Sequence, residues 1–204
     1  MKPNRLFRAG NFKLDKSILS FSLPAGKEVC NRECAGCYAI KAQKQYKGVL
    51  PYRQEVLALT KSADFVTIAV DALKHLIKTK RKIPPRFVRI HQSGDFYSQE
   101  YIDKWVEIIK QVPELIFYSY SKRLKEFNFT EMKKLPNSIV KDSFVGDKIN
   151  FGKHEYLEEL IKGMEEDEYF ICPDVDTKEQ ICGSTCTHCM EKDLEAIHIL
   201  FRQH

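Results

Sequence analysis

The sequence predicts an α/β protein assembled from βα units on a parallel sheet, and three observations carry that expectation. Short alternating or β-branched runs recur between stretches whose apolar residues repeat every three or four positions. Prolines and glycines fall at the joints, at Pro24-Ala25-Gly26, Pro84-Pro85, Gly94 and Pro113. The chemically unusual residues gather just after strand candidates, where open parallel sheets keep their binding loops.

In chain order, residues 18–23 alternate and run into Pro24, so they read as the first strand. A helix should begin near Ala39. Ser62 is placed to cap another, with Phe65, Ile68, Ala69, Ala72, Leu73, Leu76 and Ile77 on one side, and Pro84-Pro85 stops it. Residues 86–91 form the second strand, broken by Gly94, and period two puts Arg89 and His91 on one face. Ser98 caps a helix carrying Tyr101, Ile102, Trp105, Val106, Ile109 and Val112, ended by Pro113. Residues 115–120 make a third strand, 131–135 a short helix and 138–141 a fourth strand. Residues 155–162 read as helix, 169–171 as strand and 191–201 as a last helix.

A chain of 204 residues can bury about 70% of its unfolded surface, so its core needs no disulfides. It divides into a core over 1–167 and a cysteine-rich segment over 168–204. Residues 1–8 contain no apolar signal-peptide region, and no run of some 18 apolar residues could span a membrane. A cytoplasmic location, where thiols stay reduced, is expected. The net charge of +5 is short of a dedicated DNA-binding footprint. Three basic clusters, Lys78-Thr79-Lys80-Arg81-Lys82, Lys122-Arg123-Leu124-Lys125 and Lys133-Lys134, are either solvated helix ends or contacts for a nucleic-acid backbone.

The seven cysteines divide three and four. Cys30, Cys34 and Cys37 follow the first strand as C-x3-C-x2-C; Cys172, Cys182, Cys186 and Cys189 form C-x9-C-x3-C-x2-C. Thiolates at such spacing in a reducing compartment suit zinc or an iron–sulfur cluster. The second group has the four ligands of a closed zinc site. The first has three, which suits a [4Fe–4S] cluster with one iron open; zinc completed by His91, or a disulfide, is the alternative. His188 is expected at the surface or supporting a ligand.

The stretch Cys30-Asn31-Arg32-Glu33-Cys34-Ala35-Gly36-Cys37-Tyr38 resembles the cluster motif of the radical S-adenosylmethionine (SAM) superfamily. With residues 19–25, 89–96, 117–122 and the last cysteine group, it also resembles a bacteriophage-encoded branch, the gene product eighty-eight family, whose function is undetermined. The resemblance implies a partial, open (βα) barrel of the radical-SAM type with a C-terminal cysteine-rich cluster segment. It implies an open [4Fe–4S] cluster on Cys30, Cys34 and Cys37 that cleaves SAM to start radical chemistry on an unknown substrate. An auxiliary cluster, or zinc, would sit on Cys172, Cys182, Cys186 and Cys189. Ser93-Gly94-Asp95 stands where the superfamily holds the SAM amine, and Tyr38, Ser119, Ser121, Lys122 and Ser143 are further candidate contacts, with Lys141 and Asp142 beside them. A flavodoxin or ferredoxin would donate electrons, and the location would be the host cytoplasm. The alternative is a non-catalytic iron–sulfur or zinc protein that binds nucleic acid or a protein partner through its basic patches.

Overall fold

Ile18–Ser22, the apolar run before Pro24, is the strand on which the rest of the sheet is laid down. The computed structural model describes residues 5–10, 13–31, 37–145, 148–149, 151–152, 154–173 and 182–202. The strands are β1 (Arg8–Ala9), β2 (Ile18–Ser22), β3 (Phe87–Ser93), β4 (Ile116–Ser121), β5 (Ser138–Asp142), β6 (Phe144–Val145), β7 (Lys148–Ile149), β8 (Phe151–Gly152), β9 (Tyr169–Ile171) and β10 (His198–Arg202). The helices are α1 (Lys27–Cys30), α2 (Tyr38–Gln45), α3 (Val49–Thr60), α4 (Phe65–Lys78), α5 (Gln99–Gln111), α6 (Thr130–Lys134) and α7 (His154–Ile161).

The main sheet has the order β1-β2-β3-β4-β5. β1 is antiparallel to β2, and β2 to β5 run parallel. Strands that follow one another in both sequence and space, joined by right-handed crossovers, put their helices on a single face. That face holds the larger core: Leu19, Phe21, Val88, Ile90, Phe117 and Val140 meet Phe65, Leu73, Tyr101 and Trp105 from α4 and α5. The opposite face carries Ile18, Phe87, Tyr118 and Ile139, and it is covered by Leu14, Met190, Cys182 and Cys189. The four parallel strands are thus sandwiched between helices and the cysteine-bearing C-terminal segment.

Ser98 caps α5 as its sequence position implies, its Oγ accepting from the Tyr101 N–H at 3.2 Å. Ser62 does not cap α4. Its hydroxyl donates to the Leu59 carbonyl at 2.8 Å and closes α3 instead, while Asp64 occupies the cap position. The helix α3 itself is not expected from the apolar pattern, because Arg53 and Thr60 share its buried face with Val56 and Leu57.

The expected C-terminal helix over 191–201 is replaced by 3-10 turns at His188–Met190 and Lys192–Leu194 and by β10. β10 pairs parallel with both β8 and β9, and a strand flanked on both sides reads as an unbroken apolar run rather than an alternation. Ile199 and Leu200 are buried accordingly. This three-stranded sheet draws strands from both sides of residue 167. Glu195 then blunts the open edge of the main sheet, accepting from the Val140 N–H at 2.8 Å.

The expectation that Arg89 and His91 share a face is overturned. His91 adopts φ 63°, and the β2–β3 register slips between Ser20 and Ser22. His91 therefore swings to the helix side with Ile90, packing on Phe96 at 4.5 Å between ring centroids and bonding the Tyr101 hydroxyl at 2.9 Å. Arg89 remains on the cysteine side. Burial pushes His91 down to about 3, so it folds neutral. Its folded pKa lies below its unfolded one, near 6.5. Its contribution is therefore intact above about pH 6.5 and is lost as the pH falls toward 3, at roughly 1.4 kcal/mol per unit. Burial raises Asp95, which acts in the opposite sense, so the comparison must be with a variant. Urea midpoints should fall between neutral pH and about pH 5 less steeply for His91→Phe than for the native chain; equal slopes would refute the assignment.

Candidate functional site

β2 ends at Ser22 and delivers the chain into the first cysteine loop, between α1 and α2. Cys30 closes α1 and Cys37 occupies the position before α2; Cys34, within residues 32–36, lies outside the described residues. Both shoulders of the loop are held by buried arginines. Arg123 donates to the Val29 carbonyl at 3.2 Å and pairs with Glu126 at 2.8 Å. Arg53 donates to the Ala39 carbonyl at 3.1 Å and to Gln43 at 3.0 Å, and Gln43 accepts from Ala25 N–H at 2.6 Å. Arg53 lies near Cys37 and Tyr38. Neither arginine stands out in the sequence. The signal that could have found Arg53 is its place on the buried side of α3.

The Ser93-Gly94-Asp95 turn is committed to holding strand ends together. The Ser93 hydroxyl donates to the Leu23 carbonyl at 2.9 Å, and Leu23 N–H donates to Ser93 O at 2.8 Å. Gly94 has φ +85°, and a Cβ there would stand 2.6 Å from that of Leu23, so glycine is required for β3 to close on the end of β2. Asp95 is 4% exposed. Its carboxylate accepts from Phe96 N–H at 2.8 Å, Ser121 Oγ at 2.7 Å and Lys122 N–H at 2.9 Å. The turn thereby welds the carboxyl ends of β2, β3 and β4.

The remaining candidates are distributed unevenly. Ser119 and Ser121 are buried on the helix side. Lys141 is buried too, and its ammonium donates to the carbonyls of Leu194, Glu195 at 3.3 Å and Ile197 at 3.0 Å, which fastens the C-terminal turn. Asp142 accepts from the Phe144 N–H at 3.0 Å, and Ser143 N–H donates to Ser121 O at 2.9 Å. Tyr38 is 60% exposed, with its hydroxyl on the Gln92 carbonyl, and Lys122 and Ser143 are half-buried. Tyr38, Lys122 and Ser143 are therefore the members of the expected set that stand open at the strand ends.

The second cysteine group lies against the opposite face of the sheet. The Cys182 backbone forms isolated β-bridges with Leu14 and with Cys186, both thiols being free, with Asp15 N–H on Cys182 O at 2.9 Å and Cys182 N–H on Lys13 O at 3.2 Å. Gly183, at φ +88°, passes over Ile18, whose Cδ1 would be 2.8 Å from an added Cβ. His188 stacks on Phe170 at 4.0 Å, with Nδ1 3.8 Å from the Cys186 sulfur, and Cys172 follows Phe170 by two residues. Burial pushes the Cys189 thiol up to about 11 and raises Cys182 as well. Arg89 is near both. Burial works against the Arg89 charge, and the Tyr118 and Tyr120 rings and the Cys189 thiol lie around it.

Among the described residues, no three His, Cys, Asp or Glu side chains are gathered closely enough to hold a metal ion. Cys34 and residues 174–181 lie outside that description. The chemistry of the setting nevertheless suits an anionic metal centre. The Arg89 Nε–H is buried on the cysteine face without an acceptor, and a buried donor demands one. Sulfurs of a cluster or of metal-bound thiolates would supply such acceptors.

A family model described as gene product 88 matches residues 3–200. Two curated proteins are similar. The Gene 88 protein of Mycobacterium phage L5 is 26% identical over 140 residues, covering 68% of this chain and 58% of that protein. The Gene 88 protein of Mycobacterium phage D29 is 27% identical over 118 residues, covering 57% of this chain and 49% of that protein. The matched region thus spans about half the length of these curated relatives. No solved structure matches, and no helix among the described residues is long and apolar enough to cross a membrane.

Proposed function

We propose, for a chain that belongs to the gene product 88 family, an iron–sulfur protein of the radical-SAM type that acts in the cytoplasm of a phage-infected host. The observation that carries the reading is the position of Cys30 and Cys37, in a loop that leaves the first strand of a parallel, singly wound sheet at its carboxyl end. Four parallel strands with their helices on one face support a partial, open (βα) barrel. Cys30, Cys34 and Cys37 would hold an open [4Fe–4S] cluster, and Cys172, Cys182, Cys186 and Cys189 an auxiliary cluster or zinc. When bound, a cluster with one iron free of protein ligands supplies one-electron cleavage of SAM, fed by a flavodoxin- or ferredoxin-like donor. Arg123 and Arg53 hold the loop's two shoulders in place. Tyr38, Lys122 and Ser143 face the same end of the sheet and would contact SAM.

A second reading rests on the Ser93-Gly94-Asp95 turn. Its polar atoms already serve the strand ends, so a ligand amine would compete with bonds the fold needs. That favours a non-catalytic iron–sulfur or zinc protein binding nucleic acid or a protein partner. Anaerobic purification, iron and sulfide counts per chain and electron paramagnetic resonance of the reduced protein with and without SAM separate the two. A cluster signal perturbed by SAM, abolished by Cys34→Ser, is expected for the enzyme. Clusters indifferent to SAM favour the second reading, and zinc without sulfide would overturn the iron–sulfur assignment.

A further inference from the structure

Of the three basic clusters, two are used within the fold. Arg123 is buried against Val29 and Glu126, and Lys134 pairs with Glu131 at 2.8 Å. The cluster at 78–82 is different. It leaves the end of α4, and among the described residues Lys78, Lys80, Arg81 and Lys82 form no ion pair.

Arg81 lines a cavity of about 590 Å³ together with Arg5, Phe7, Arg8, Tyr52 and Glu55. Arg5, Arg8 and Arg81 bring three guanidiniums against one carboxylate, and none of them is ion-paired among the described residues. The wall is ordered before any ligand arrives. The Arg8 guanidinium lies over the Tyr52 ring at 4.1 Å, and the Tyr52 hydroxyl donates to the Arg5 carbonyl at 2.8 Å. Ser20 Oγ donates to the Arg8 carbonyl at 3.1 Å, tying β1 to the sheet. Guanidiniums present planar forks that match phosphate oxygens. The stacked Arg8 plane is also a surface on which a base can lie.

We propose that this cavity is a binding site for single-stranded nucleic acid, with Arg5, Arg8 and Arg81 on the phosphodiester backbone and the Arg8–Tyr52 stack beneath a base. The Arg8–Tyr52 stack can take a base only from a strand whose bases are unpaired and splayed out, which a duplex does not offer. The unpaired lysines of the 78–82 cluster extend the positive charge past the cavity, which suits a polymer better than a lone phosphate. The site is independent of the cysteines and holds under either reading of them.

Fluorescence anisotropy of the full chain with a short labelled single-stranded oligodeoxynucleotide, over a salt series, tests it. Each phosphate contact on a single strand contributes about 0.7 to the slope of log affinity against log salt. Arg5→Ala/Arg8→Ala/Arg81→Ala should therefore lower that slope by about 2 and weaken binding roughly a hundredfold at about 0.1 M salt. Glu55→Gln, which removes the carboxylate, should tighten binding several-fold, a direction that damage to the fold would not produce. Unchanged affinity in the triple variant, or no tightening in Glu55→Gln, overturns the proposal. So does displacement of the oligonucleotide by equimolar inorganic phosphate, or equal binding of the matching duplex. Metal content is measured separately, so the cysteine reading stands or falls apart from this result.

Discussion

Replacing Asp95 with alanine should cost about 3–5 kcal/mol of stability, because three buried donors lose an ionised acceptor at once. Those donors are Phe96 N–H, Ser121 Oγ and Lys122 N–H, at 2.8, 2.7 and 2.9 Å. Two of them belong to the end of β4, so the variant should also loosen the mouth where the first cysteine loop is anchored. Arg123 is coupled to the same point, since its N–H donates to Ser121 Oγ at 3.0 Å and its guanidinium holds Val29. Asp95→Asn keeps one oxygen and the shape but turns an N–H₂ toward existing donors, and should cost about 1–3 kcal/mol. Urea unfolding followed by the fluorescence of the single tryptophan measures both. A fully stable Asp95→Ala that had lost only SAM affinity would sink the structural account and return the carboxylate to the ligand.

The second large effect is expected at Trp105. It is fully buried, and its ring meets Phe21 edge-on at 5.0 Å, Phe65 at 5.8 Å, and Phe7 and Phe117 each at 6.4 Å. It thus joins β2, β4, α4 and the residue before β1 through α5. Trp105→Ala should lose about 3–5 kcal/mol, a large share of the 5–15 kcal/mol a domain commonly has. Trp105→Phe should lose about 1–2 kcal/mol. Far-ultraviolet circular dichroism is the appropriate probe, since either variant lacks tryptophan. A loss below about 1 kcal/mol for Trp105→Ala would mean that the aromatic cluster is not the organising core.

Much of this architecture is legible in the residues because local and global preferences agree there. The alternation at 18–23, the Ser98 cap and the one-sided apolar period of α5 all describe elements whose tertiary role matches their local pattern. The failures share a different cause. α3 buries Arg53, and its polar role is set by Ala39 and Gln43, ten or more residues away. His91 changes face because of a positive φ that no side-chain pattern records. β10 looks like the tail of a helix until β8 and β9 flank it. At the candidate site the cysteine spacing and the Ser-Gly-Asp turn are readable as signals. What the turn's side chains bond to depends on Leu23 and Ser121, 70 and 26 residues distant.

The position of β10 also sets an order of assembly. The last strand in the chain is the middle strand of its sheet, so β8 and β9 have no partner in that sheet until it arrives. Its pairings span 29 residues to β9 (169 to 198) and 50 to β8 (151 to 201), no more than the 69 between β2 and β3 (18 to 87). Cys182, Cys186 and Cys189 lie in the chain between β9 and β10, with Cys182 docked on Lys13, and all three remain half-buried in the folded chain. The small sheet that flanks this cysteine segment is therefore completed only when the last strand is in place.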